Sequence, residues 1–242
     1  MSTETDTVSD YGLLDTRYAV YFAPPRASAL KRFGDAWLGR DPDSDEPVPQ
    51  PVVEGITPHR LHEITASPRH YGFHATLKAP FYPVPGLESD ALLGDVEAFA
   101  AARRPLEVRL RVGELGGFLA LVPAEPVPDL DRLAADCVRE FDRHRAALTP
   151  DDRQRHDAPH LSPVERDHLE RWGYPYVLDR FRFHMTLTGP LEEPERGRVA
   201  AILETALAPL LAETVMIEKL ALFTQTHRVA PFRVVARFPF RA

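Results

Sequence analysis

At 242 residues, with 44% hydrophobic and 27% charged side chains, the chain can bury a core of ordinary globular size. A net charge of −7 and a pI near 5.8 exclude a broad basic surface for extended nucleic acid, though not a small site for one phosphate. The single cysteine, Cys137, excludes an internal disulfide and any cysteine-based metal centre.

Residues 1–15 are polar and acidic and read as a disordered tail, and no signal-like or membrane-length apolar run is present. The expected home is the cytoplasm, with no membrane partner. Residues 17–23 (Arg-Tyr-Ala-Val-Tyr-Phe-Ala) form a strand stopped by Pro24-Pro25, and Leu30, Phe33 and Trp37 give 27–38 helical spacing. The Pro- and acid-rich stretch 41–58 reads as a loop, and 59–70 as helical turn. A strand at 71–81 follows, then a helix over 89–103 and strands over 106–112 and 118–122, joined by Gly116-Gly117. A helix over 130–148 places Leu133, Cys137, Val138 and Phe141 inward, and 149–160 reads as a charged loop. A short helix from Ser162 to Trp172, a strand at 181–191, a helix over 194–211 and strands over 215–223 and 232–240 complete the chain.

Two of these strands are copies. Tyr71-Gly-Phe-His-Ala-Thr-Leu-Lys-Ala-Pro-Phe81 recurs 110 residues on as Phe181-Arg-Phe-His-Met-Thr-Leu-Thr-Gly-Pro-Leu191, with Phe, His, Thr, Leu and Pro preserved. Alternation along a strand puts Phe73, Ala75 and Leu77 on one face and His74, Thr76 and Lys78 on the other. In the second copy Phe183, Met185 and Leu187 oppose Arg182, His184, Thr186 and Thr188. An apolar face and a His-and-Thr face are thus made twice. The expected fold is α+β: two lobes of antiparallel sheet and helices, related by a pseudo-twofold axis, whose working faces line one cleft. Residues 16–242 form one bilobal domain, with duplicated halves over about 16–115 and 116–242.

Two imidazoles across a cleft suit acid–base chemistry, because a histidine near its usual pKa of about 6.5 exists in both forms close to neutrality. One takes a proton from water while the other gives one to a leaving oxygen. Thr76 and Thr186 can donate to the non-bridging oxygens of a phosphodiester. Lys78 and Arg182 add positive charge or stand as solvated rim charges. Tyr21 lines the cleft or packs beneath it, and Gln225 and Arg228 follow the strand ending at Phe223, within reach of substrate. The arrangement calls for no metal and no other cofactor. Histidine pairs at His59/His62 with Glu63, and at His156/His160 with Asp157, have ligand-like spacing, but composition alone produces such clusters in charged loops.

Paired His-x-Thr-Leu strands, each entered by Phe, resemble the two-histidine (2H) phosphoesterase superfamily. The strings at 17–22, 32–40, 71–78 and 181–190 resemble its branch associated with bacterial phosphonate-utilisation operons. The resemblance implies a bilobal α+β fold, metal-independent catalysis and cyclic-phosphate or 2′-linked nucleotide substrates. By it, His74 and His184 are the acid–base pair and Thr76 and Thr186 the phosphate donors. The expected activity is a phosphodiesterase opening a small cyclic phosphate of ribose or a related sugar. Alternatives are a 2′,3′-cyclic phosphodiesterase or 2′–5′ ligase on RNA ends, and a non-catalytic binder of a nucleotide or phosphorylated metabolite. The partner is a small phosphorylated substrate; oligomeric state is not encoded legibly.

Overall fold

The structure is a computed structural model that describes residues 16–156 and 161–242, so the expected tail at 1–15 lies outside the described residues. In chain order the elements are β1 (Arg17–Phe22), α1 (Ala29–Leu38), β2 (Arg40–Asp41), β3 (Glu46–Pro47), α2 (Pro58–Ile64), α3 (Ala66–Tyr71), β4 (Ala75–Phe81) and α4 (Ser89–Ala101). Then come β5 (Leu106–Val108), β6 (Leu110–Leu115), β7 (Phe118–Pro123), α5 (Pro128–Glu140), α6 (Pro150–His156), α7 (Pro163–Trp172), β8 (Met185–Pro190), α8 (Glu195–Leu211), β9 (Val215–Ile217), β10 (Lys219–Gln225) and β11 (Arg233–Pro239).

The fold is α+β. Seven strands form one antiparallel sheet in the order β11-β10-β1-β4-β8-β7-β6, with the two motif strands adjacent at its centre. β4 and β8 are joined through the pair Ala75↔Met185, so the sheet opens into two halves around that point. The C-terminal strands β10 and β11 add to the half that holds β1 and β4. The chain therefore crosses between halves, and the position 115/116 falls inside the β6–β7 hairpin.

Alternation sorts the sheet's side chains. Val20, Phe22, Ala75, Leu77, Met185 and Leu187 face the main core, which also holds Leu92 and Val96 of α4, Leu130 and Leu133 of α5, and Val199 and Leu203 of α8. Ala19, Tyr21, Ala221, Phe223 and Phe232 form a smaller cluster on the opposite face, with Tyr71 packed against it.

Several elements differ from the sequence expectation. The strand expected over 106–112 breaks at Arg109, and that over 215–223 breaks at Glu218. Their first parts, β5 and β9, pair with each other in a separate ribbon, and their continuations join the large sheet. The helix expected to reach Leu148 ends at Glu140, because the backbone beyond it is captured by the exit of β4. The Val84 amide donates to the His144 carbonyl at 2.9 Å, and the Ala146 amide to the Tyr82 carbonyl at 2.8 Å. The loop expected at 149–160 opens with α6, whose start is capped by the Thr149 hydroxyl accepting from the Asp152 amide at 3.1 Å. The stretch from 41 is tied down: Lys31 binds Asp35, Asp41 and Asp43, and Arg237 binds Asp43 at 2.7 Å.

Helix α1 seats itself on both motif copies. Its Trp37 indole donates to the Leu187 carbonyl at 2.9 Å, and Gly34 lies directly over the Phe73 ring. A Cβ at Gly34 would meet that buried ring at 2.0 Å, whereas one at Gly94 in α4 would meet nothing within 4 Å. Gly34→Ala is therefore expected to destabilise by about 1–3 kcal/mol through overpacking, and Gly94→Ala to stabilise by about 0.5–1 kcal/mol through helix propensity. Urea midpoints of the two variants check this; equal shifts of one sign contradict the packing account.

Candidate active site

The site is generated by register. Antiparallel pairing of Ala75 with Met185, continued one residue either way, sets His74 opposite Thr186 and Thr76 opposite His184. Ala75 and Met185 point into the core, fully buried, so all four polar side chains are thrown to the other face. That face opens into a cleft of about 220 Å³ whose lining includes Tyr71, Gly72, His74, Phe118 and Thr186.

Both rings are held in the same way. His74 Nδ1 lies 2.8 Å from the Gly72 carbonyl oxygen, and His184 Nδ1 lies 2.7 Å from that of Arg182. A carbonyl oxygen can only accept, so each Nδ1 carries the proton and each Nε2 is left for chemistry. Nε2 of His74 sits 3.3 Å from the Thr76 hydroxyl. Tyr21 stacks on His74 with ring centroids 3.9 Å apart and planes inclined by 24°. Phe118 covers His184 at 5.7 Å, and the Tyr71 ring lies 6.1 Å from His74.

Burial disfavours the charged form of both histidines. It pushes His74 down to about 4, despite the Gly72 bond that favours the cation, and the neighbouring His184 depresses it further. Burial also lowers His184, opposed by its bond to Arg182, and carries the Tyr21 phenol well above the usual range.

Gly72 has a structural duty of its own. At φ 79° and ψ 174° it occupies backbone space open almost only to glycine, and a Cβ there would meet Pro42 at 2.7 Å. This conformation aims its carbonyl at His74.

The remaining sequence candidates separate into those in the cleft and those that serve the frame. Tyr21 is buried beneath the His74 ring, on which it stacks, and is in hydrogen-bonding contact with Thr76. Lys78 is not on the His face. The β1–β4 register slips between Tyr21↔Thr76 and Val20↔Lys78, a bulge that turns Lys78 to the core side. There its buried ammonium donates to the Val138 carbonyl at 3.1 Å and to Asp142 at 3.2 Å; burial draws its pKa down to about 8 while Asp142 holds the charge. The second copy carries the same irregularity in its β7–β8 pairing, and the buried Thr188 hydroxyl accepts the Leu119 amide that the slip leaves unpaired, at 3.0 Å. Thr188 thus forms cleft wall with its hydroxyl already engaged. Arg182 is exposed and serves the site through its backbone carbonyl. Gln225 is fully buried, with its amide donating to His70 and to the carbonyls of Arg228 and Ala230, so it does not face the cleft as a free contact. Arg228 is paired with Asp152.

Sequence reasoning missed Gly72, Tyr71 and Phe118. The available signals were Gly72, directly before the first motif strand, and Tyr71, the aromatic that opens that copy; Phe118 lies outside both copies and carried none. His59 sits 3.7 Å from Glu63 across one exposed turn, and His62 contacts Arg69. Of the second candidate cluster, residues 157–160 lie outside the described residues.

Residues 76–233 match a family model described as "Protein of unknown function (DUF1045)". The chain belongs to this family. Its curated relatives include two proteins named "Ribose 1,5-bisphosphate phosphokinase PhnN". That of Janthinobacterium sp. (strain Marseille) is 39% identical over 93% of this chain and 51% of its own length. That of Laribacter hongkongensis (strain HLHK9) is 36% identical over 90% and 50%. The chain thus spans about half the length of the curated relatives it matches. Among solved structures, E. coli LigT in complex with NADP+ aligns over 94% of this DUF1045 chain and 99% of its own, at 12% identity and a TM-score of 0.44.

The ring geometry predicts that nitrogen-15 NMR of the free protein finds both histidines as neutral Nδ1–H tautomers at pH 7, with His74 staying neutral down to about pH 4. The folded state takes up these protons less readily than the unfolded chain. Stability from the pair is therefore full above about pH 6.5 and lost as pH falls toward 4. A His74 titration near 6.5 contradicts the burial account. Gly72→Ala is expected to lose the single His74 tautomer, read in the same spectra.

Proposed function

We propose that this protein is a metal-independent phosphodiesterase that hydrolyses a small cyclic phosphate by paired-histidine acid–base catalysis. One observation carries the reading. Two imidazoles, each anchored through Nδ1–H to a backbone carbonyl two residues upstream, lie on the same sheet face with a threonine two residues on.

A cyclic phosphodiester sits between the rings, its non-bridging oxygens accepting from the Thr76 and Thr186 hydroxyls. Nε2 of His74, the more strongly held neutral, takes a proton from water as the water oxygen bonds to phosphorus. The ring P–O bond breaks, and His184 gives its Nε2 proton to the departing alkoxide. His184 must be protonated for this step, and the bound phosphate anion supplies the field that raises its affinity for a proton. The threonine donors stabilise charge on the equatorial oxygens.

The relatives' name supports a ribose phosphate as the substrate class. Their kinase chemistry does not extend to this chain on sequence grounds, since no Gly-x-x-x-x-Gly-Lys-Ser/Thr phosphate cradle occurs in it. Opening a ribose cyclic phosphate yields a ribose phosphate monoester, the class of compound on which an enzyme of that name acts.

The test is hydrolysis, in excess EDTA, of ribose cyclic phosphates, nucleoside 2′,3′-cyclic phosphates and a 2′–5′-linked dinucleotide. Ribose cyclic phosphates are expected to turn over, with His74→Ala and His184→Ala each about 10²–10⁴-fold slower. Preference for the nucleotide members would move the assignment to RNA ends. Tight binding without turnover of any member would make the cleft a binding site.

A further inference from the structure

The local twofold axis through the Ala75↔Met185 pair relates more than the two motif strands. β1 lies beside β4 and β7 lies beside β8, so the flanking strands are equivalent as well. Phe22 pairs with Ala75 where Leu121 pairs with Met185, and Tyr21 pairs with Thr76 where Ala120 pairs with Thr186. Opposite the motif threonine, one copy therefore has a phenol and the other a methyl. We propose that Tyr21 is the positioning residue that breaks the symmetry of the site. Its phenol proton occupies the Thr76 oxygen, so Thr76 keeps its own proton for His74 or for substrate. This commits His74 to the base role and leaves the acid role to His184. The inference deepens the phosphodiesterase reading and rests on it for the two roles.

Direction follows from one fixed point. The Gly72 carbonyl oxygen can only accept, so His74 Nδ1 carries the proton and Nε2 is an acceptor. Across 3.3 Å the Thr76 hydroxyl must then donate to Nε2. A hydroxyl has one proton, and with that proton given its oxygen can only accept. Tyr21 stands opposite on the same sheet face, with its ring stacked 3.9 Å beneath the imidazole and in hydrogen-bonding contact with Thr76. The phenol is therefore the donor, and the chain runs one way, from Tyr21 O–H to Thr76 O–H to His74 Nε2. Each bond of such a chain polarises the next. Burial holds the phenol in its protonated form, so the first donor is not lost near neutrality.

The same bond serves the loaded site. When a phosphate enters, Thr76 turns its proton to a non-bridging oxygen while Tyr21 still holds the Thr76 oxygen. The Nε2 lone pair of His74 is then free for the water. In the second copy the Ala120 methyl supplies no donor. The Thr186 oxygen keeps its full capacity to accept, which suits a protonated His184.

The titratable groups that face His74 are Tyr21 from β1, Tyr71 from α3 and His184 at the entry to β8, and Phe223 of β10 adds a neutral ring at 6.0 Å. Tyr21→Phe leaves the others in place, keeps the stacked ring and removes only the donor. Nitrogen-15 NMR is expected to show His74 titrating about one pH unit higher in this variant, with His184 unmoved, because Nε2–H can now donate to Thr76 unopposed. The acidic limb of kcat/KM should rise with it while the basic limb stays, and kcat should fall about tenfold at neutral pH. Thr76→Val removes the hydroxyl through which Tyr21 acts. Adding Tyr21→Phe to it should leave the His74 titration where Thr76→Val alone puts it. The proposal is overturned by an unmoved His74 titration in Tyr21→Phe, by an equal rise in both histidines, by an acidic limb that stays put, or by a shift that persists on the Thr76→Val background. The NMR titrations need no turnover. Absent hydrolysis would sink the phosphodiesterase reading, while the spectra still decide whether Tyr21 orients Thr76.

Discussion

One backbone pairing sets the site. Ala75 and Met185 join the two halves of the sheet, and an antiparallel pair has a local twofold axis through its centre. Whatever flanks Ala75 is therefore related by that axis to whatever flanks Met185. The small, buried Ala75 and the adaptable Met185 fill the core beneath, and His74, Thr76, His184 and Thr186 are left on the open face. Two strands that met elsewhere, or slipped by one residue, would send the histidines into the core and the apolar residues into the cleft.

The surroundings then specify the chemical state of those residues. Each ring donates to the carbonyl two residues upstream, so strand entry and ring orientation are a single device used twice. Equivalence ends with the neighbours. His74 is stacked on Tyr21 and backed by the Tyr71–Phe232 stack, while among the described residues His184 has Phe118 alone at ring distance. The two copies share a backbone plan but sit in unequal environments, the asymmetry that the proposed base and acid roles require. The bulges after Thr76 and Thr186 belong to the same plan. They end the working face after one His-Thr pair and turn the next side chain, Lys78 or Thr188, to structural use.

The histidines, the threonines and the two-faced strands were legible because period-two alternation and an eleven-residue repeat are properties of sequence alone. Lys78 was misplaced because a bulge breaks that period, and nothing in Thr-Leu-Lys announces one. Gln225 drew attention as a polar residue at a strand end, yet burial and five hydrogen bonds make it a brace for Arg17. The exchange of strands between sheet halves was hidden for a different reason. Pairing of β10 with β1 spans about two hundred residues, and long-range partners leave no local periodic trace. Helix α6 escaped notice because its charged residues carry no apolar stripe, although Thr149-Pro150-Asp151-Asp152 is a helix start by capping chemistry.

The central claim is that both histidines serve one phosphate in one step. A double-mutant cycle on kcat/KM, with His74→Ala, His184→Ala and the pair together, tests it most directly. If the rings act as a unit, the double variant loses about as much activity as the worse single variant, because either loss alone disables the concerted transfer. A double variant whose loss equals the product of the two single losses would mean that the rings act independently, and the shared-phosphate account would be wrong.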